Sequence, residues 1–227
     1  MRKQKADLLL EYLGASSLLL FPVMMMLAFA MHFKDLADFF VFELKYVPNS
    51  TESFMATLSG PNKNRLFVIP HIVGYMGMPF MAATGMYLGK ILYPKKPLLA
   101  IIGSSMTVTG VFFLSGVFAA WLSFAAVGNV PVASTENAIT VLRELTKMQG
   151  PLLLMTTLSV LSISGLIILG TGLLISRIIP TWSAALFLLG NIFIITFMDL
   201  DNWMFIGALL ILIAMLPVSI KIYKNQR

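Results

Sequence analysis

Pro151-Leu152-Leu153-Leu154-Met155-Thr156-Thr157-Leu158-Ser159-Val160-Leu161-Ser162-Ile163-Ser164-Gly165-Leu166-Ile167-Ile168-Leu169-Gly170-Thr171-Gly172-Leu173-Leu174-Ile175 runs for 25 residues without a charge. A bilayer core about 30 Å thick takes roughly 20 apolar residues of helix. Inside it, every backbone N–H and C=O must be paired within the segment, so a stretch like this one is a helix. Outward along the chain the pattern repeats. After it come Thr181 to Met198, the shortest run, and Trp203 to Ile222. Before it come Leu8 to Phe33, Leu66 to Tyr93 and Leu98 to Val127. The chain therefore reads as an all-α polytopic membrane helix bundle with six transmembrane helices. It forms a single integral membrane domain over residues 1–227.

Composition agrees. Only 11% of residues are charged, against about 25% in a soluble domain, which is too little polar surface to face water. The absence of Cys excludes disulfides and thiolate metal ligands. The net charge of +6 comes from juxtamembrane Lys and Arg. Its natural partners are lipid headgroups of the bilayer rather than nucleic acid.

Charge placement predicts orientation. With six spans, ten Lys and Arg fall on one side, among them Arg2, Lys90, Lys95, Arg177 and Lys221. Six fall on the other, with eight of the ten acids. The net charges are +8 and −2, and the positive side is expected in the cytoplasm together with both termini. The expected location is the plasma membrane. Ala28-Phe29-Ala30 imitates a leader cleavage site, but the preceding apolar run is longer than a leader's and Glu11 stands near its start, so it reads as an uncleaved span.

Tyr93-Pro94-Lys95-Lys96-Pro97 and Arg177 to Pro180 are short, stiff links, which predict tight hairpins between spans two and three and spans four and five. The two hairpins share a faint echo of Gly, basic residue and Pro. Two connections on the acidic side are long. In the first, Phe33, Leu36, Ala37, Phe40, Val41 and Leu44 repeat at helical spacing, with Phe39 and Phe42 off the stripe. In the second, Thr135 can cap a helix bearing Ile139, Leu142, Leu145 and Met148. Both read as outer interfacial amphipathic helices covering the bundle's end.

Ionisable or polar groups inside a bilayer are the default candidates for function. His32 ends the first span and His71 lies about one turn into the second, so antiparallel packing brings them to one depth. This pair is the candidate cofactor site, with bis-imidazole ligation of haem b, or of a metal together with Asp35 or Asp38, as the chemistry. No metal site stands out by spacing, and two interfacial histidines paired to water and backbone are the simpler reading. Glu11, near the cytoplasmic end, is expected to snorkel. Met24, Met25, Met26, Met76, Met78, Met81 and Met86 point around their helices and read as packing rather than as Cu(I) ligands.

Pro70, Gly74, Gly77 and Pro79 make span two the expected broken or kinked helix. With Ser104, Ser105 and Asn191 they are the candidate lining of a polar cavity. The competing reading is close packing through small residues, as in Gly85 to Gly89. No Gly-x-Ser-x-Gly, His-Glu-x-x-His or phosphate-loop pattern occurs, so no catalytic residue is assigned and a non-enzymatic role is expected.

The order of parts resembles a family of bacterial six-span membrane proteins catalogued as a domain of unknown function. The likeness rests on the long connection after span one, the Tyr93-Pro94-Lys95-Lys96-Pro97 turn, and the basic-then-Pro link Gly170-Thr171-Gly172-Leu173-Leu174-Ile175-Ser176-Arg177-Ile178-Ile179-Pro180. The resemblance implies a six-span fold and a bacterial source. It brings no activity, cofactor or site residue.

Three roles fit these expectations. The first is a transporter, or a transporter subunit, for a small or lipophilic molecule. The second is an accessory, immunity or sensor protein that binds a protein partner through its outer loops or forms a homo-oligomer. The third is a haem- or quinone-linked redox protein using His32 and His71.

Overall fold

A computed structural model describes residues 2–33, 35–41, 58, 60, 64–127, 137, 139–140, 143–144, 149–198 and 200–225. Seven helices stand among them: α1 Arg2–Met31, α2 Leu36–Phe39, α3 Ile69–Leu92, α4 Pro97–Val127, α5 Gly150–Ser176, α6 Thr181–Thr196 and α7 Asp201–Asn225. No strand occurs among the described residues. Five helical stretches are long and apolar enough to cross a membrane. The sixth apolar helix, α6, has 16 residues, about 24 Å at 1.5 Å per residue. It is two residues shorter than the run Thr181 to Met198 because Phe197 and Met198 form a turn. The molecule is a helical membrane bundle.

Helix order in space differs from order in sequence. α1 packs on α3 and α7, α7 on α6, α6 on α5, and α5 on α3, which closes a ring of five helices. α4 lies against α3 and α5. The ring is filled by apolar side chains. Leu18, Phe21, Met78, Leu166, Phe187 and Ile211 are each at 0–1% exposure and belong to one continuous core.

Small residues permit the closest approaches. A Cβ on Gly190 of α6 would lie 2.6 Å from the Gly207 carbonyl oxygen of α7, and one on Gly207 would lie 2.8 Å from the Gly190 carbonyl oxygen. Backbone meets backbone there. Lipid tails are as apolar as leucine, so membrane helices associate through close packing of this kind rather than through a hydrophobic drive.

Both predicted hairpins are present, since α3 packs on α4 and α5 on α6. Their turns differ. Tyr93 ends α3 in a right-handed conformation, whereas Arg177 ends α5 at φ 51°, in the left-handed region.

Span two is not broken within its helix. α3 runs unbroken through Gly74, Gly77 and Pro79, and the irregularity lies ahead of it, in a π-helical turn over Asn64–Val68. Proline clashes with the carbonyl four residues earlier. For Pro70 that is Leu66, and a widened turn makes room.

The first interfacial stripe is described only in part. Its described part is one turn, α2, whose start is capped by Asp35 accepting from the Asp38 N–H at 2.9 Å. Leu36 and Phe40, on the stripe, are 75% and 63% exposed. Phe39, expected off the stripe, packs edge-on to Phe33 and Phe205, with ring centroids at 5.1 and 5.6 Å. The remainder of that stripe lies outside the described residues. Of the second, Ile139 packs over a small cluster of Leu58, Phe67, Phe124 and Ala125, and most of the rest also lies outside them.

Candidate functional site

Among the described residues, the ion-pair contacts of the bundle lie at its two ends. At the lysine rim, where α3 ends, Glu11 of α1 accepts from Lys90 Nζ at 2.7 Å and from the Tyr87 hydroxyl, both on α3. Gly14 clears the space for the Tyr87 ring. Ser219 Oγ of α7 donates to the Ala15 carbonyl at 2.8 Å, and Tyr223 and Ser16 share a hydrogen bond at 2.7 Å. α1 is thereby pinned to both neighbours. Glu11 is held by named partners rather than simply snorkelling.

The opposite end, the histidine rim, joins the C-terminus of α1 to the N-termini of α3 and α7. His32 Nδ1 lies 2.9 Å from Asp201 Oδ1, with side chains 11% and 9% exposed. Asp201 opens α7, where the helix dipole favours an anion. Its second oxygen, Oδ2, is buried with no hydrogen-bond partner among the described residues. The His71 ring stands 5.4 Å from that of His32, tilted by 59°. His71 Nδ1 donates to the Phe67 carbonyl at 2.7 Å, at the junction of the π-helical turn and α3. Phe67, Phe118 and Trp121 surround the His71 ring at 4.3, 5.8 and 6.2 Å. Next to Asp201, the buried Asn202 donates to the Phe39 and Val41 carbonyls at 3.3 and 3.4 Å and ties the α2 segment to α7.

These contacts settle the tautomers. A carbonyl oxygen only accepts, so His71 carries hydrogen on Nδ1, and when neutral it bears its lone pair on Nε2. The same holds for His32 while Asp201 is ionised. A ring nitrogen fixed by a carboxylate or carbonyl, leaving the other for chemistry, is how proteins orient histidines that bind protons or metals. Among the described residues no group of three or more His, Cys, Asp or Glu has the geometry to hold a metal ion.

Beside this chain a cleft of about 480 Å³ opens to the outside. It is lined by Phe33, Phe39, Phe40, Phe205, Asp35 and Arg65, among others. The cleft and the buried pair share their supports. Phe33 follows His32 on the chain, and Phe205 lies one turn beyond Asp201 on α7.

The other candidate residues do not converge. Pro70, Gly74 and Gly77 are buried, while Pro79 is exposed. Gly74 faces the Phe118 ring, and Gly77 faces Met24. Ser104 donates to the Gly85 carbonyl of α3 at 3.0 Å, whereas Ser105 points outward and is exposed. Asn191, on α6, is buried and donates to its own helix at Phe187. The methionines scatter likewise, with Met78 and Met81 in the core and Met76 and Met86 more than half exposed.

Sequence reading brought out the two histidines but treated Asp201 only as a rim charge and passed over Asn202. The available signal was an acid at the head of a span that enters from the side bearing both histidines. No protein-family model matches the chain, no curated protein matches it, and no solved structure matches it.

Proposed function

We propose that this is a transporter-like protein, or the membrane subunit of a transporter, that takes up a small lipophilic molecule at the histidine rim, on the outer face of the plasma membrane. The observation that carries this reading is the aromatic cleft of about 480 Å³ at that rim. Ligand sites are concave and largely apolar, with a few placed polar groups; here Asp35 and Arg65 are those groups. The filled ring of helices favours a ligand entering at the rim from lipid over one moving down a water-filled centre. The test is photolabelling of the full chain in nanodiscs with a neutral aryl-diazirine alkyl probe, followed by peptide mapping. Labelling concentrated on 33–40 and around Phe205, and reduced by Phe205→Ala but not by Phe112→Ala on the lipid-facing side of α4, is expected. Uniform labelling of all lipid-exposed helix faces would sink the reading.

A second reading, haem or quinone binding at His32 and His71, is favoured by their 5.4 Å approach. A haem between the two rings would need the room that Phe67, Phe118 and Trp121 occupy, so the quinone form asks for less rearrangement. A Soret band in protein purified with haem present, lost in His32→Ala, is the outcome that would replace the first reading with the haem form. Docking of a partner protein through the long connections concerns segments mostly outside the described residues.

A further inference from the structure

We infer that His71, His32 and Asp201 form a proton-binding site whose occupancy is linked to that of the aromatic cleft, so that the proton is the co-ligand of the lipophilic molecule. The inference rests on reading the cleft as a ligand site.

The Asp201 carboxylate, nine-tenths buried and with one oxygen unpartnered among the described residues, bonds His32, and the His71 ring stands 5.4 Å from that of His32. Unprotonated, the trio carries one negative charge. A proton taken from the rim side adds to Nε2 of an imidazole, since both Nδ1 positions already hold hydrogen. The trio then holds an imidazolium beside a carboxylate and is neutral overall. A second proton would set two imidazolium rings 5.4 Å apart against one carboxylate, which like-charge repulsion and burial both oppose. The arrangement is therefore suited to exchanging a single proton.

Among the described residues, the turn after α1 presents His32, α3 presents His71, α7 presents Asp201, and α4 presents Phe118 and Trp121. At the adjoining cleft stand Asp35 of the α2 segment and Arg65 of the π-helical turn, with Asp38 in α2 behind Asp35. Coupling follows from shared supports. Protonation turns the His32–Asp201 hydrogen bond into an ion pair and draws the end of α1 to the head of α7. Phe33 and Phe205, the cleft walls on those two elements, move together with them. A ligand gripped by both walls binds better to the protonated trio and, by reciprocity, raises the trio's affinity for the proton.

The chain has only two histidines, so ring-¹⁵N NMR of the histidine-labelled full chain in nanodiscs reads the site directly. Coupled titration is expected, with the His32 curve displaced in His71→Phe, a variant that keeps an aromatic ring in the stack. An unchanged His32 curve in that variant overturns the inference. The second arm measures capture of the same neutral diazirine probe at pH 8 and pH 6. Capture in the cleft is expected to rise at least about fivefold on acidification, and to lose that dependence in Asp201→Asn, which keeps the hydrogen-bond acceptor without the charge. Coupled titration with probe capture that is flat in pH overturns the linkage and leaves the cleft reading standing. Coupled titration with no capture in the cleft at any pH removes the cleft reading, and the linkage with it, while the proton site itself remains measured.

Discussion

Tyr87 shows how one hydroxyl can decide a helix contact. Its ring lies where Gly14 has no side chain, and its hydroxyl donates to Glu11, which also receives Lys90. Removing the hydroxyl leaves a part-buried carboxylate short of one donor. Tyr87→Phe should therefore lower stability by about 1 kcal/mol, between the range for hydrogen bonds to charged groups and the smaller values found inside membranes. Denaturant unfolding in detergent measures it, and a cycle with Glu11→Gln should show the two changes to be non-additive. Strict additivity would mean that the contact is incidental. Glu11 drew notice as an acid near a helix end, but its partners are 76 and 79 residues away and no local pattern announces them. The histidine pair was legible because consecutive antiparallel spans place their ends at one depth. Asp201 was not, because it lies 169 residues from His32 and meets it only once α7 closes the ring against α1.

Among elements, α6 depends most on its neighbours. Sixteen residues make it the shortest of the apolar helices, and its contact with α7 is backbone against backbone at Gly190 and Gly207. Gly190→Ala puts a methyl 2.6 Å from a carbonyl oxygen that cannot turn away, so a loss of about 2 kcal/mol is expected, in the range for overpacking. Gly116→Ala is the control. The nearest atom there is the Met155 sulfur at 2.7 Å, the end of a flexible side chain that can move aside, and unfolding should barely change. Equal losses at both sites would refute the backbone argument. Hydropathy located these elements but not their ends. α1 starts at Arg2 and α7 runs to Asn225, because a helix continues into the headgroup region after its apolar residues stop. The π-helical turn was foreshadowed by Pro70, yet a proline ring says only that the preceding turn must yield. Here the turn ahead of Pro70 widens before the helix begins.

At the scale of the molecule, the ring of five helices was not legible, since apolar length says nothing about which helix sits beside which. In the two hairpins that share the echo, α4 packs on its partner α3 and on the next helix α5, as α6 packs on α5 and on α7. Charge asymmetry, by contrast, acts on the whole chain at once, and the proposed orientation follows from it. Lys90, Lys95, Lys96 and Arg177 sit at one end of the bundle and Asp201 with both histidines at the other. Loops rich in Lys and Arg resist translocation, so the lysine rim should remain in the cytoplasm. The absence of cysteine makes the test free of background. Lys95 and Glu144 are both exposed and stand on opposite sides of the predicted topology. A membrane-impermeant maleimide applied to intact cells should label Glu144→Cys, and should reach Lys95→Cys only after the membrane is broken. The reverse result would place the histidine rim inside. The cleft would then draw from the inner leaflet, and the proton of the buried trio would come from the cytoplasm, which reverses the direction in which a proton gradient acts on the site.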